Sequence, residues 1–224
     1  LPLAHKIFVQ NLISDCELDT IPPMGIKKIL FFIFIVIVVD VGARPVSWTQ
    51  GSTLMTYSNN MKNSIYYHFS PTYKFSLGLE MVEDKVFDNS YAYFRFTRLL
   101  NRKNTQNSQR NLYFRSGVSS KQWASYFLGL QGDWETRRLF AGFNVNLIES
   151  GNRDYFDQSY QVGIAPYLGE FGDLHTWIMV KTKRNSVADE WSTFPLVRLF
   201  KGDVMLELGY NGETSWDAHL MYRF

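Results

Sequence analysis

The sequence has very little cysteine, since Cys16 is its one thiol among 224 residues. A single cysteine excludes a disulfide scaffold and a zinc site built from several thiolates. Charged residues make up only 20% of the chain and give a net charge of +2. This balance gives no support to a nucleic-acid-binding protein, which would carry a strongly basic stripe. No apolar run reaches the roughly 20 residues that a helix needs to cross a bilayer.

Aromatic residues, by contrast, are abundant. The chain has 18 Phe, 13 Tyr and 6 Trp, which together make up 17% of its residues. A disordered chain would be poor in aromatic residues, so this composition predicts a folded protein. Because the mean hydropathy is only −0.18, a bundle of several membrane helices is also excluded. Two classes remain, a soluble all-β domain and a membrane β-barrel.

The N-terminal part has the features of a secretory signal peptide over residues 24–43. Lys27 and Lys28 precede an apolar run at residues 29–39, and Val41-Gly42-Ala43 follows it as a cleavage site. A basic segment, a short apolar segment and small residues before the cut are the three parts of such a signal. An apolar run of this length could instead form a buried helix or an uncleaved anchor.

The signal predicts the boundaries of the mature protein. Met24 stands just before the two lysines, so we expect translation to start there and residues 1–23 to be an upstream extension that is not native. Cleavage after Ala43 would leave a mature chain of residues 44–224, which contains no cysteine. Such a chain can be exported without any risk of wrong disulfides.

Hydrophobicity in the mature region repeats with a period of two residues, which is typical of β-strands. The last segment shows it most clearly, because Trp216, Ala218, Leu220, Tyr222 and Phe224 alternate with polar residues. Turn residues divide the region into twelve predicted strands, of which the first, ninth and tenth alternate poorly. These strands lie near residues 47–57, 62–70, 73–82, 89–99, 110–118, 122–133, 137–148, 158–168, 173–183, 191–200, 203–211 and 214–224.

The connections between these strands fit a transmembrane barrel with both ends of the chain on one side. In such a barrel the periplasmic turns are short and the opposite loops are longer. We expect short turns at 70–72, 134–136, 169–172 and 201–202, and longer loops at 149–157 and 184–190. The polar stretch 101–109 is an exception, since it is long and lies on the side where short turns are expected.

The C-terminal end resembles the signature of bacterial outer-membrane β-barrels. The chain ends in Phe224, with Tyr222 and Leu220 at alternate positions, and in that family the barrel-assembly machinery recognises this pattern. Residues 163–177 are also similar to uncharacterised proteobacterial outer-membrane proteins. The resemblance implies an all-β fold, a closed antiparallel transmembrane barrel of about twelve strands, surrounded by outer-membrane lipid. A secreted soluble β-barrel or sandwich that acts as a binding protein remains the alternative fold.

In such a barrel the polar parity of each strand faces the lumen. Charged rings in a lumen select the ions that pass, and the arrangement is similar to that of small twelve-stranded channels for acidic oligosaccharides. The sequence therefore predicts a narrow passive channel for small, anionic solutes or, if the charges pair with one another, a closed structural barrel. The predicted pore-lining residues are Arg95, Arg115, Arg138, Tyr66, Tyr93, Tyr113, Glu80, Glu207, Asp217 and Arg223.

The sequence gives little support to two further activities, lipid hydrolysis and metal binding. A lipid-modifying hydrolase of the outer membrane would need a Ser–His pair on the lipid-facing surface, whereas the predicted alternation turns His68 and His219 inward. The inward Met205 and Met221 could join these histidines in a soft metal site, but no metal-ligand spacing supports it. We therefore predict no catalytic residues, no metal and no cofactor, and keep the hydrolase as an alternative function.

Overall fold

The computed structural model describes residues 45–224, except 87, 122–124, 151–152, 171, 188 and 213–214. No helix in this part of the chain is long and apolar enough to cross a membrane. The predicted extension 1–23 and signal peptide 24–43 lie outside the described residues. Within them the strands are β1 (Gly51–Ser58), β2 (Lys62–Thr72), β3 (Phe75–Asp84), β4 (Asn89–Asn104), β5 (Ser108–Ser119), β6 (Tyr126–Thr136), β7 (Leu139–Ser150), β8 (Arg153–Ile164), β9 (His175–Asn185), β10 (Trp191–Lys201), β11 (Val204–Asn211) and β12 (Ser215–Arg223).

The strands form one closed barrel. Each strand pairs antiparallel with its neighbours in sequence, and β1 pairs with β12 to close the sheet. At this closure the amide of Ser52 donates to the carbonyl of Phe224 at 2.7 Å, and the amide of Phe224 donates back at 3.0 Å. Closure leaves no strand edge unpaired, which a sheet in lipid requires. The predicted closed antiparallel barrel of twelve strands is therefore confirmed.

Alternation along the strands separates an apolar outer surface from the lumen. On β2, the side chains of Ile65, Tyr67 and Phe69 are exposed on the outside, whereas Tyr66 and His68 are buried inside. Successive side chains of a strand point to opposite faces, and the sequence keeps the two kinds of residue on separate parities. The outside of the barrel is thus a continuous apolar band, as a membrane protein needs.

Three of the predicted connections are wrong in length. The stretch 101–109 is not a long loop, because β4 continues to Asn104 and β5 begins at Ser108. The stretch 149–157 is not a long loop either, because β7 and β8 reach residues 150 and 153. The predicted short turn at 169–172 belongs to a longer connection over residues 165–174. In the stretches 101–109 and 149–157, polar residues that pair across a hairpin have the composition of a loop, which explains the wrong prediction.

The two ends of the barrel differ in what they carry. We call the end where β1 begins and β12 finishes the terminal end, and the opposite end the distal end. The predicted first strand, 47–57, starts too early, because residues 45–48 precede β1 at the terminal end and are not part of the sheet. Val46 and Ser47 in this segment are nevertheless buried.

Apolar side chains fill part of the lumen. One cluster joins Phe140, Trp177, Met179 and Leu196, and a second joins Met55, Tyr66, Met205 and Met221. Trp177 and Met179 on β9 and Leu196 on β10 therefore face inward, which explains why these two strands alternate poorly in the sequence. The inward side chain of Met205 is packed against Met55, Tyr66 and Met221, so this part of the lumen is apolar.

Candidate functional site

The lumen contains a cavity of about 200 Å³ towards the distal end, which we call the vestibule. Its wall includes residues of the distal connections, among them Asn59 and Val86, together with Tyr57 and Phe127 near the distal ends of their strands. Charged side chains from both sides of the barrel line it. They are Lys62, Glu80, Asp84, Arg95, Arg115, Asp157, Lys181, Lys183 and Asp217.

One carboxylate in the vestibule binds two cations from neighbouring strands. Glu80 on β3 accepts a hydrogen bond from Nη1 of Arg95 on β4 at 2.7 Å, and Nζ of Lys62 on β2 lies 3.6 Å from its other oxygen. The Arg95 guanidinium also lies over the rings of Tyr66 and Phe127, at 4.1 and 5.2 Å from their centroids. Glu80 and Arg95 are both buried, so each needs the other.

A second carboxylate does the same on the other side of the vestibule. Asp217 on β12 pairs with Nζ of Lys181 at 2.9 Å and with Nζ of Lys183 at 3.1 Å. The two lysines are two residues apart on β9 and therefore share one face of the strand. All three side chains are only partly exposed. Each side of the vestibule thus has a cluster of charges with one more cation than carboxylate.

Arg115 differs from these cations because its described hydrogen-bond partners are neutral. Its Nη2 donates to the side-chain oxygens of Asn144 and Asn146 on β7, the latter at 2.6 Å. Asn146 in turn donates to Asp157 at 3.4 Å. Among the ion pairs that the described residues form, none includes Arg115. Its positive charge is therefore balanced less directly than that of any other arginine in the vestibule.

A third polar cluster lies deeper, near the packed part of the lumen. Nε of Arg198 on β10 donates to Glu207 on β11 at 2.6 Å, and Nδ1 of His219 on β12 lies 3.4 Å from the other carboxylate oxygen. Tyr57 stacks on the His219 ring at 3.9 Å, and Arg198 lies 4.3 Å from the Phe140 ring centroid. This cluster connects five strands, namely β1, β7, β10, β11 and β12, and occupies part of the lumen.

The structure places most of the predicted pore-lining residues inside the barrel. Arg138 is the exception: it lies in the exposed turn before β7, because this strand begins two residues later than predicted. Whether the inward residues conduct solute stays a prediction. Those that face the lumen are Tyr66, Glu80, Tyr93, Arg95, Tyr113, Arg115, Glu207, Asp217 and Arg223.

Four cations that face the lumen were not predicted from the sequence, namely Lys62, Lys181, Lys183 and Arg198. Three of them lie on β9 and β10, where the inward parity mixes apolar and charged residues. The simple rule of an apolar outside and a polar inside therefore hid them. A lysine pair spaced by two residues, opposite an inward carboxylate, was the signal that could have found them.

The three histidines of the described region do not form a common site. His68 and His219 are buried in the lumen, whereas His175 begins β9 at the terminal end. The described residues contain no group of three or more His, Cys, Asp or Glu side chains that could hold a metal ion. Neither buried histidine has access to the apolar outer surface, where a lipid ester would lie.

Comparison with known proteins gives a likeness in fold. No family model matches the chain, and no curated protein sequence matches it. Among solved structures, the KdgM porin in complex with disordered oligogalacturonate has a TM-score of 0.50 at 12% sequence identity. The alignment covers 78% of this chain and 99% of the porin.

A second structure, described only as the KdgM porin, matches at a TM-score of 0.49 and 12% identity, with the same coverage. The first match shows that the chain shares the barrel architecture of a porin along nearly the whole length of that protein. At 12% sequence identity, the likeness extends to the fold alone.

Proposed function

We propose that this chain is a bacterial outer-membrane β-barrel that forms a narrow channel for small anionic solutes. The apolar outer band, the closed sheet and the lumen charges support the membrane location. The terminal end, with its mostly short turns, would face the periplasm, and the vestibule would open to the outside. In this proposal outer-membrane lipid and the barrel-assembly machinery are the chain's partners, and the protein is not an enzyme.

One observation supports the anionic preference most directly. Arg115 is a lumen guanidinium with neutral amide partners, Asn144 and Asn146, so its field reaches solutes in the vestibule. The vestibule lining has five cations and four carboxylates, and two of these carboxylates, Glu80 and Asp217, each already pair with two cations. A ring with an excess of positive charge attracts anions and repels cations. The fold neighbour was solved with oligogalacturonate, a polyanion, which supports the same class of solute here.

Reversal potentials in planar bilayers test this proposal. Purified folded protein should give conductance steps that favour anions in a salt gradient. Arg115→Ala should shift the reversal potential towards zero, because the least balanced lumen charge is gone. Arg138→Ala removes the same charge from an exposed turn and should leave the potential unchanged. An equal shift in both variants would show that selectivity does not arise in the vestibule.

A closed structural barrel is the second candidate function. The apolar cluster of Phe140, Trp177, Met179 and Leu196 and the buried Arg198–Glu207 pair favour it, because they fill much of the lumen. Correctly folded protein that never gives conductance steps, in the parent or in the variants, would support this candidate and refute the channel. The hydrolase stays a weaker alternative, which lipid analysis after overproduction would test.

A further inference from the structure

The chain folds back on itself just before β1. Gln50 has a positive φ of 64°, a backbone conformation that residues other than glycine rarely adopt. The turn is closed by the Gly51 amide, which donates to the Trp48 carbonyl at 3.1 Å. A Cβ on Gly51 would come within 2.6 Å of Ser47 Oγ and 2.7 Å of Trp48 Nε1. Only glycine at this position lets residues 45–48 lie against the start of the strand.

The folded-back segment enters the terminal end of the lumen. The Ser47 amide donates to Ser70 Oγ at 2.9 Å, and Ser76 Oγ donates to the Pro45 carbonyl at 3.1 Å. Ser70 and Ser76 both belong to the lumen-facing parity of their strands and are fully buried. Val46 is only 1% exposed, so its side chain is enclosed although it belongs to no strand.

An arginine of the last strand holds the same segment. The Arg223 guanidinium on β12 lies 4.8 Å from the centroid of the Trp48 ring. Together with the two hydrogen bonds, this contact fixes the segment to β2, β3 and β12, which lie on both sides of β1. The attachments are few, and none is covalent, so the segment can leave without breaking the sheet.

The wall behind the segment is polar and lined by small side chains. Thr53 on β1, His68 on β2 and Thr97 on β4 face inward, and their side-chain polar atoms have no hydrogen-bond partner among the described residues. The facing part of the lumen, by contrast, is packed with the Trp177 cluster. If solute passes the terminal half of the barrel, the polar route therefore starts beside residues 45–48 and continues along β3 and β4, because Met55 and Tyr66 pack with Met205 further in on β1 and β2.

We propose that residues 45–48 are a plug that closes the terminal end of the channel and opens it by swinging out of the lumen. This proposal rests on the proposed channel function. Residues Thr53, His68 and Thr97 would line the route that the plug uncovers, and water or a small polar solute would satisfy their side chains. The plug would face the periplasm, so opening would be controlled from that side.

Conductance of a plug variant is the first test. Val46→Asp places a charge in an enclosed apolar position and should expel the segment, which gives larger or more frequent conductance steps than the parent. Thr49→Asp changes the exposed residue that directly follows the segment and should behave like the parent. A parent and a Val46→Asp variant that conduct equally would overturn the plug and leave the channel standing.

A crosslink tests the position of the segment without relying on conductance. Ser47→Cys with Ser70→Cys, in a Cys16→Ser background, should form a disulfide in the folded barrel, because the two residues are in contact. The oxidised form should lose the steps that a reducing agent restores, whereas single-cysteine variants should not respond. Failure to crosslink in folded protein would refute the docked plug. Crosslinking with no conductance in any variant would refute the channel and, with it, gating by this segment.

Discussion

Arg95 and Arg115 lie on neighbouring strands but are not opposite each other, since Arg95 is paired with Gly117 and Arg115 with Thr97. The two guanidinium groups therefore do not form a directly opposed pair. The offset of two residues lets each guanidinium take different partners, a carboxylate for Arg95 and two amides for Arg115. The charge of Arg95 is neutralised by a carboxylate, whereas the charge of Arg115 is not, so its electrostatic field extends into the vestibule.

Removing the carboxylate of Glu80 should destabilise the barrel. Glu80→Gln leaves Arg95 buried without its ion-pair partner, which costs about 3 kcal/mol in comparable buried pairs. Urea unfolding of the protein in lipid vesicles measures the loss. Glu83→Gln, an exposed position on the same strand, serves as the matched control. The double change Glu80→Gln with Arg95→Gln should recover part of the loss, and no recovery would contradict the pairing.

The outer surface should resist charge more than the vestibule does. Phe143→Arg places a cation near the middle of β7 on the outside, which costs roughly 2–4 kcal/mol in a membrane barrel. Ser159→Arg on the next strand adds the same group to the vestibule wall and should cost less, because the lumen is hydrated there. Both free energies of unfolding are measured in lipid vesicles. Equal costs would mean that the outside does not face lipid.

Two tryptophans should report the apolar filling of the lumen. Trp177→Ala creates a cavity beside Phe140 and Met179, and such a change in a packed core costs about 3–5 kcal/mol. Trp216 is 61% exposed on the outside, so Trp216→Ala should lower the free energy of unfolding by less. The same unfolding experiment compares them. Similar losses would show that the inner cluster adds no more stability than contact with lipid.

The C-terminal residue should act in assembly as well as in pairing. Phe224→Ala keeps both backbone hydrogen bonds with Ser52, whereas deletion of Phe224 removes them. If the side chain is the assembly signal, both variants should reach lower levels of heat-modifiable barrel in cells, with synthesis unchanged. Purified Phe224→Ala should still refold in detergent. A normal cellular level of the alanine variant would contradict the signal role.

The fold could be predicted because it depends on a local rule. Alternation of side chains along each strand needs no knowledge of distant residues, and closure into a barrel follows from the need to pair every edge in lipid. The predicted strands overlap all twelve observed strands. The errors concern residues 101–109 and 149–157, where polar residues continue a hairpin beyond the apolar band.

The site was less predictable because it depends on register. The parity of Arg95 and Arg115 could be derived from the sequence, but their offset of two residues depends on how β4 and β5 are aligned. The partners of Arg115 lie two strands away on β7, and those of Asp217 lie on β9, across the lumen. Contacts across a barrel depend on its radius and tilt, which no segment of the sequence specifies alone.

The closure between β1 and β12 has a consequence for how the protein is made. Every other strand pair joins neighbours in sequence, so its contacts are local along the chain. The pair of Ser52 and Phe224 joins the two most distant parts of the sheet. Folding slows as contacts become more remote in sequence, so ring closure should be the last and slowest step of biogenesis. Until Phe224 pairs with Ser52, the sheet keeps two open edges.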